Sequence, residues 1–269
     1  MHEILDHLDE SAIVLDIGSG PGSFPDSATR ARVFRVDLNR PGRPPQRFAQ
    51  ADALALPFRT ATFDAVILNH SLEHFPNWRL SLQEIGRVVK KDGAAYIAVP
   101  DASTFSDRLY RKVFRDRGGH INLFADDAKL AKSLSWYLGL PHVATRVLQT
   151  SLVFQNRRNT NNDRARPEMR FLGLPEPLLA LTLRIIRTID KHRQTRLGVY
   201  GWAFFFGKLG EPVNPTPRLN VCVRCGQAHP DEYLRALQLL RPTALPWHKY
   251  TCPDCGCDNW FVPEIGTKA

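Results

Sequence analysis

The chain has 269 residues, a hydrophobic fraction of 43% and a formal net charge of +9. That is room for one full α/β domain and a small appendage, and the apolar content excludes a disordered chain. No stretch approaches the roughly 20 consecutive apolar residues of a membrane-spanning helix. The opening Met1-His2-Glu3-Ile4-Leu5-Asp6 is acidic and lacks an apolar signal core, so the expected location is cytoplasmic.

In chain order, strand-like runs alternate with helical spacing, the pattern of a parallel sheet covered by helices. The apolar run 12–16 ends at a glycine-rich turn, and 33–37 is a second strand followed by a Pro/Arg-rich loop over 40–47. A fainter strand lies near 48–51, and clearer ones at 64–69 and 94–99. Between them, Leu82, Ile85, Val88 and Val89 fall on one helical face. A further helix is expected over 125–138, with Asp126 and Asp127 suited to its first turn. Strands follow over 143–154 and 202–206. A helix over 177–191 opens with Pro177 and puts Leu178, Leu181, Ile185 and Ile189 on one side. Pro212, Pro215 and Pro217 then make a stiff linker. The expected domains are 1–210, with a basic helical insert at about 156–197, and a small module at 218–263.

Charge is concentrated in the middle of the chain. Residues 156–210 hold 11 Lys+Arg against 4 Asp+Glu, a net of +7, whereas 211–269 balance to zero. Arg157, Arg158, Arg164, Arg166 and Arg170 can meet phosphate, in RNA or in a small molecule. Arg184, Arg187, Lys191 and Arg193, beside an apolar helical face, suit an anionic membrane surface. The plainer reading is a solvated basic surface over a core-packing helix.

Two motifs carry chemistry. In Val14-Leu15-Asp16-Ile17-Gly18-Ser19-Gly20-Pro21-Gly22 a strand runs into closely spaced glycines, which lets a ligand approach the backbone. The phosphate fingerprint of a dehydrogenase would need glycine where Ser23 stands, and Pro21 lacks an N–H. Asp37 then ends the second strand, where a carboxylate can accept both hydroxyls of a ribose. Asp52 follows the next strand, where it can receive an adenine amino group. Near the C-terminus, Cys222-Val223-Arg224-Cys225 and Cys252-Pro253-Asp254-Cys255 are two paired-thiolate knuckles that can complete a tetrahedral zinc site. Cys257 is left over, although the Cys255-Gly256-Cys257 spacing lets it compete as a ligand. A helix is expected at 231–240. Trp247, Tyr250, Trp260 and Phe261 are read as a small core or a contact surface.

The stations Asp16–Gly22, Asp37-Leu38, Ala51-Asp52-Ala53-Leu54, Asn69–His74 and Glu84–Gly93 together resemble the class I S-adenosylmethionine-dependent methyltransferases, in particular the small-molecule, quinone-methylase-like branch. The resemblance spans about 12–155. It implies a Rossmann-like, doubly wound, mostly parallel seven-stranded α/β sheet, and the cysteine module resembles a zinc ribbon. It also implies that Asp16, Gly18, Ser19, Gly20 and Gly22 line the methionyl part of the cofactor and that Asp37 with Leu38 holds the ribose. Asp52 and Ala53 would flank the adenine, and Asn69 and His70 would face the sulfonium. His74 and His120 lie on segments that border the acceptor pocket in relatives and are the candidate bases. Cofactors are then S-adenosylmethionine and zinc, the metal on Cys222, Cys225, Cys252 and Cys255. The expected acceptor is a small or lipid-linked intermediate. RNA methylation through the basic insert, and a non-catalytic scaffold recruiting a protein through the ribbon, are the competing readings. One departure stands out: only ten residues separate Gly22 from Val33, where the family usually has a longer helix facing the cofactor carboxylate.

Overall fold

The computed structural model describes residues 1–108, 120–149, 173–193, 195–208, 218–244 and 247–263. The chain forms two compact units. One comprises Met1–Ala102, Gly118–Arg146 and Trp202–Pro215, the other Ser103–Arg117, Val147–Gly201 and Thr216–Ala269.

The first unit is built on a sheet. After the short α1 (His2–Leu5) come β1 (Ile13–Ile17), β2 (Arg32–Asp37), β3 (Phe48–Gln50) and β4 (Phe63–Asn69). Then follow α2 (Trp78–Val88), β5 (Val89–Pro100), α3 (Asp127–Leu138), β6 (His142–Gln149) and β7 (Gly201–Gly207). Strand order is β3-β2-β1-β4-β5-β7-β6, and β1–β2, β2–β3, β1–β4 and β4–β5 pair in parallel. The unbroken apolar run Ala65-Val66-Ile67-Leu68 is wholly buried, as a central parallel strand covered on both faces must be. The expected face of α2 is the buried one: Leu82, Ile85 and Val88 have no exposure. Asn77 caps that helix through its side chain, which accepts from Leu80 N at 3.3 Å. Asp126 does the same for α3, accepting from Lys129 N at 2.9 Å.

The second unit joins the end of β6 to the cysteine-rich segment. Val147–Gln149 pair in parallel with β8 (Arg218–Val221), and β9 (Ala228–His229) runs antiparallel beside β8. The sheet therefore has nine strands and not the seven expected. The added pair is short and sits among cysteine and polar residues, so its segments lack the long apolar runs that mark β1, β4 and β5. Next come α5 (Asp231–Ala236), shorter than the 231–240 expected, and an antiparallel sheet of β10 (Leu240–Pro242), β11 (His248–Thr251) and β12 (Asp258–Phe261).

The helix of the insert, α4 (Glu176–Arg193), belongs to this second unit. Its Leu179, Ala180 and Leu183 pack into one core with Val223, Leu234, Tyr250 and Phe261. Leu178, Leu181, Ile185 and Ile189 do share a side, but that side is open: they are 49%, 37%, 50% and 41% exposed. Arg187 and Asp190 point inward instead, each 4% exposed. Burial of these charges is sustained by partners. Asp190 accepts from Thr195 Oγ1 at 2.5 Å, Leu197 N at 2.8 Å and Gly198 N at 2.6 Å. Burial pushes the Arg187 guanidinium below its ordinary range, while Tyr250, Asp231 and Asp190 act to hold its charge. Of the residues offered to a membrane or phosphate, Arg187 is therefore internal, and Arg157, Arg158, Arg164, Arg166 and Arg170 lie outside the described residues.

Candidate functional site

The glycine loop and the second expected strand end meet because β1 and β2 lie in register, Ile17 beside Val36. Gly18 N and Ser19 N donate to Val36 O at 2.8 and 3.1 Å, carrying the parallel ladder into the loop. Gly18 has φ +66°, and a Cβ there would lie 2.4 Å from Ser71 Cβ, so only glycine fits. Ser71 comes from the turn after β4 and donates to Ile17 O at 3.0 Å, which locks that turn against the loop. Asp37 accepts from Gly20 N at 2.8 Å through Oδ2 and from Asn39 N at 2.8 Å through Oδ1. Each carboxylate oxygen keeps a second lone pair for a ligand hydroxyl. Leu38 is exposed beside it. At the end of β3, Asp52 accepts from Leu54 N at 2.9 Å and Ala53 is buried.

No α-helix lies between β1 and β2; the segment holds only a 3-10 turn at Asp26–Ala28. A charge cluster braces it. Asp16, wholly buried, accepts from Ser23 N at 2.9 Å and Ser23 Oγ at 2.6 Å. Arg35, its neighbour across the β1–β2 register, lies with Nε 3.4 Å from Asp16 Oδ2. The same guanidinium donates to Phe24 O at 2.9 Å and pairs with Asp26 at 2.5 Å. Burial raises the Asp16 carboxyl, against the pull of Ser23 and Arg35. Sequence reasoning missed Arg35. Its signal was a lone arginine inside the apolar run Val33-Phe34-Arg35-Val36, opposite an aspartate.

After β4 the chain turns sharply through His70, whose φ of +55° is a conformation that non-glycine residues adopt at some cost. A 3-10 turn, Leu72–His74, buries Glu73 at 1% exposure. Ile121 N and Asn122 N donate to Glu73 O at 3.1 and 3.0 Å, and Asn122 Nδ2 donates to Phe75 O at 2.7 Å. These bonds bring His120 to His74, with ring centroids 5.4 Å apart, although they are distant in sequence. Glu73 Oε1 lies 3.8 Å from His70 Nδ1 and 4.0 Å from His74 Nε2. Burial, then the neighbouring His120 and His74, push His70 down to about 3, so it is a neutral imidazole near neutral pH. Glu73 and Asn122, which organise this cluster, were not singled out in the sequence.

In the second unit the two knuckles are alike. Cys222 N donates to Gln227 O and Cys252 N to Cys257 O, both at 2.8 Å; Gly226 N and Gly256 N close the turns at 2.9 Å. The Sγ atoms of Cys222 and Cys255 are 3.6 Å apart, as are those of Cys225 and Cys252. Four sulfurs about 2.3 Å from one tetrahedral ion would lie about 3.8 Å apart, so the set fits zinc. The crowding also argues for a cation. Hydrogen bonds from Cys225 and Cys252 push the Cys222 thiol down, and that thiolate pushes the other two up. Asn259 donates to Cys222 Sγ at 3.4 Å and accepts from Val223 N at 2.8 Å. His229 Nε2 lies 3.5 Å from Cys252 Sγ and 3.3 Å from Asp254 Oδ2. Cys257 stands apart from the four, its Sγ 3.6 Å from Glu176 Oε2, and burial raises it to about 12. Glu176 itself clamps Arg224 at 2.6 to 3.0 Å, tying the first knuckle to the start of α4.

Residues 1–134 match the family model described as a methyltransferase domain. Among solved structures the chain is similar to an S-adenosylmethionine-dependent methyltransferase from Archaeoglobus fulgidus, at 19% identity and a TM-score of 0.48, over 73% of this chain and 86% of that one. It is also similar to 1,6-didemethyltoxoflavin-N1-methyltransferase from Burkholderia thailandensis with bound 1,6-didemethyltoxoflavin and S-adenosylhomocysteine, at 19% identity and a TM-score of 0.41, over 74% and 72%. A third is the complex of the Haloferax volcanii Trm112 methyltransferase activator with a methyltransferase, at 15% identity and a TM-score of 0.46, over 75% and 85%.

Proposed function

We propose that this chain is a class I S-adenosylmethionine-dependent methyltransferase acting on a small or lipid-linked acceptor, with a C-terminal zinc-ribbon-like module. The observation that carries the reading is the meeting of the Gly18–Gly22 loop, Asp37 and the His70–His74 turn at the carboxyl ends of adjoining parallel strands, where α/β folds bind ligands. The methyltransferase-domain match over residues 1–134 supports it.

When bound, S-adenosylmethionine supplies an electrophilic methyl group on a sulfonium. In this proposal Asp37 takes the ribose hydroxyls on its free lone pairs, and Asp52 with Ala53 borders the adenine. Gly18, Ser19, Gly20 and Gly22 bring the backbone close to the methionyl part. Asp16 works indirectly, through its hold on Ser23 and Arg35. Asn69 and His70 flank the reacting end. His74 and His120 are placed to take the acceptor's proton, and Glu73, 4.0 Å from His74 Nε2, offsets the positive charge that the ring would gain. Cys222, Cys225, Cys252 and Cys255 would hold zinc, whose work here is to fold the module. The domains we assign are 1–210, including the insert at 156–197, and 218–263.

Calorimetry of the zinc-loaded protein with S-adenosylmethionine and S-adenosylhomocysteine tests this directly. Micromolar binding, weakened about tenfold or more in Asp37→Ala through loss of charge-assisted hydrogen bonds, is the expected result. Absence of binding to the folded wild type would make the helix-less loop a disabled cofactor site and leave the scaffold reading.

A further inference from the structure

The outward face of α4 is the reverse of an ordinary surface helix, which turns charges to water and aliphatics to the core. Along the stretch from Pro177 to Ile189 the exposed positions are Pro177, Leu178, Leu181, Ile185 and Ile189, with no charge among them. The charged residues of the same stretch lean the other way. Arg187 is buried. Arg184 donates to Phe261 O at 2.9 Å and sits 5.0 Å over the Trp247 ring. Four branched aliphatics in one helical row are expensive to leave in water, at about 25 cal/mol per Å² of apolar surface, and such a row marks an interaction surface.

What surrounds the row is basic. At its C-terminal end the exposed positions become His192, Arg193 and Arg196, followed by the exposed Leu197. In sequence, Arg157, Arg158, Arg164, Arg166 and Arg170 precede the helix, and residues 156–210 carry a net +7. An apolar row bordered by positive charge is complementary to one kind of surface, an apolar interior under anionic headgroups. The helix is not a membrane span: no described helix is long and apolar enough to cross a bilayer. We propose that the Leu178–Leu181–Ile185–Ile189 face of α4 lies in the interface of an anionic lipid bilayer, with Arg193 and Arg196 at the headgroups. The inference does not rest on the methyltransferase reading, although a lipid-linked acceptor would be delivered to the same surface.

The test is co-sedimentation of the full-length, zinc-loaded protein with large vesicles, either pure phosphatidylcholine or phosphatidylcholine with one-third phosphatidylglycerol. Expected are binding to the anionic vesicles, a loss of about tenfold or more in Ile185→Ser/Ile189→Ser, and a several-fold loss in Arg193→Glu/Arg196→Glu. All four positions are exposed, so circular dichroism and zinc content should match the wild type. Wild-type protein that stays in the supernatant with both vesicle types overturns the proposal. So does anionic binding that the double serine variant leaves unchanged, since charge alone would then explain it. A concentration-dependent dimer that the serine variant dissociates, with no vesicle binding, would assign the face to a second copy and also overturn it. Cofactor calorimetry on the same variants keeps the two readings apart, because it should be unaffected.

Discussion

The glycine loop of the first unit and the cysteine knuckles of the second are both tight turns closed by backbone hydrogen bonds, yet they work in opposite ways. The loop at Gly18–Gly22 is positioned from outside itself, by the β1–β2 register, by Ser71 beneath Gly18 and by the Asp16–Arg35 pair. The knuckles carry their own instructions, since four thiols on two matched turns need only an ion to fix them. A site made of backbone depends on distant packing; a site made of ligating side chains depends on chemistry close at hand.

Removing metal should give the largest effect. Zinc bound to four thiolates contributes about 10–16 kcal/mol in small modules. Cys222→Ser, or a strong chelator, should therefore drop zinc from one equivalent per chain and abolish the unfolding transition of the second unit. Calorimetric scanning with metal analysis checks this, and a transition that persists without metal would show that the core around Tyr250 and Phe261 suffices. Arg35→Ala comes next. It strands the buried Asp16, at a cost of about 3 kcal/mol in urea unfolding. A cost below about 1 kcal/mol would mean that Ser23 alone holds the loop.

Two glycine substitutions sharpen the contrast. Gly18→Ala meets Ser71 as well as a left-handed backbone and should cost about 3 kcal/mol. Gly226→Ala, at φ +75° with nothing within 4 Å of the new Cβ, carries only the backbone penalty of about 1 kcal/mol. Equal losses would remove the distinction between a loop placed by neighbours and a self-contained knuckle.

The smallest effect is a pH dependence. His70 is depressed to about 3 in the folded state, below the ordinary 6.5, so the unfolded chain binds its proton first. Stability from this group is complete above pH 6.5 and falls as pH drops from 6.5 towards 3. With 28% of the side chain exposed, the slope should be below the single-proton limit of about 1.4 kcal/mol per pH unit. Urea midpoints from pH 7 to 4.5 for wild type and His70→Gln would show it as the difference between the two curves.

Much of this molecule could be read from its residues. Apolar runs located β1, β2, β4 and β5 because a buried parallel strand has no polar positions to hide. Leu82, Ile85 and Val88 identified the inner face of α2 by spacing alone. The same reasoning on α4 found the aliphatic row, and the structure turned that row outward. Periodicity reports which residues share a side, not which side is covered. Arg187 could turn inward because Tyr250, Asp231 and Asp190 await it, and two of those lie in the cysteine-rich segment. The nearness of His74 and His120 was likewise beyond sequence, since it rests on backbone bonds from Ile121 and Asn122 to Glu73.

By itself, then, the sequence determined the local chemistry: glycines where a backbone must be approached, acids at strand ends, and four cysteines at knuckle spacing. These depend on residue type and short separation, which a chain states directly. Tertiary structure decided which groups became neighbours. It set Arg35 against Asp16, Asn122 against the turn after β4, and the polar side of α4 against the cysteine core. Such pairings join distant segments, and their energies exist only once packing has removed the water between them.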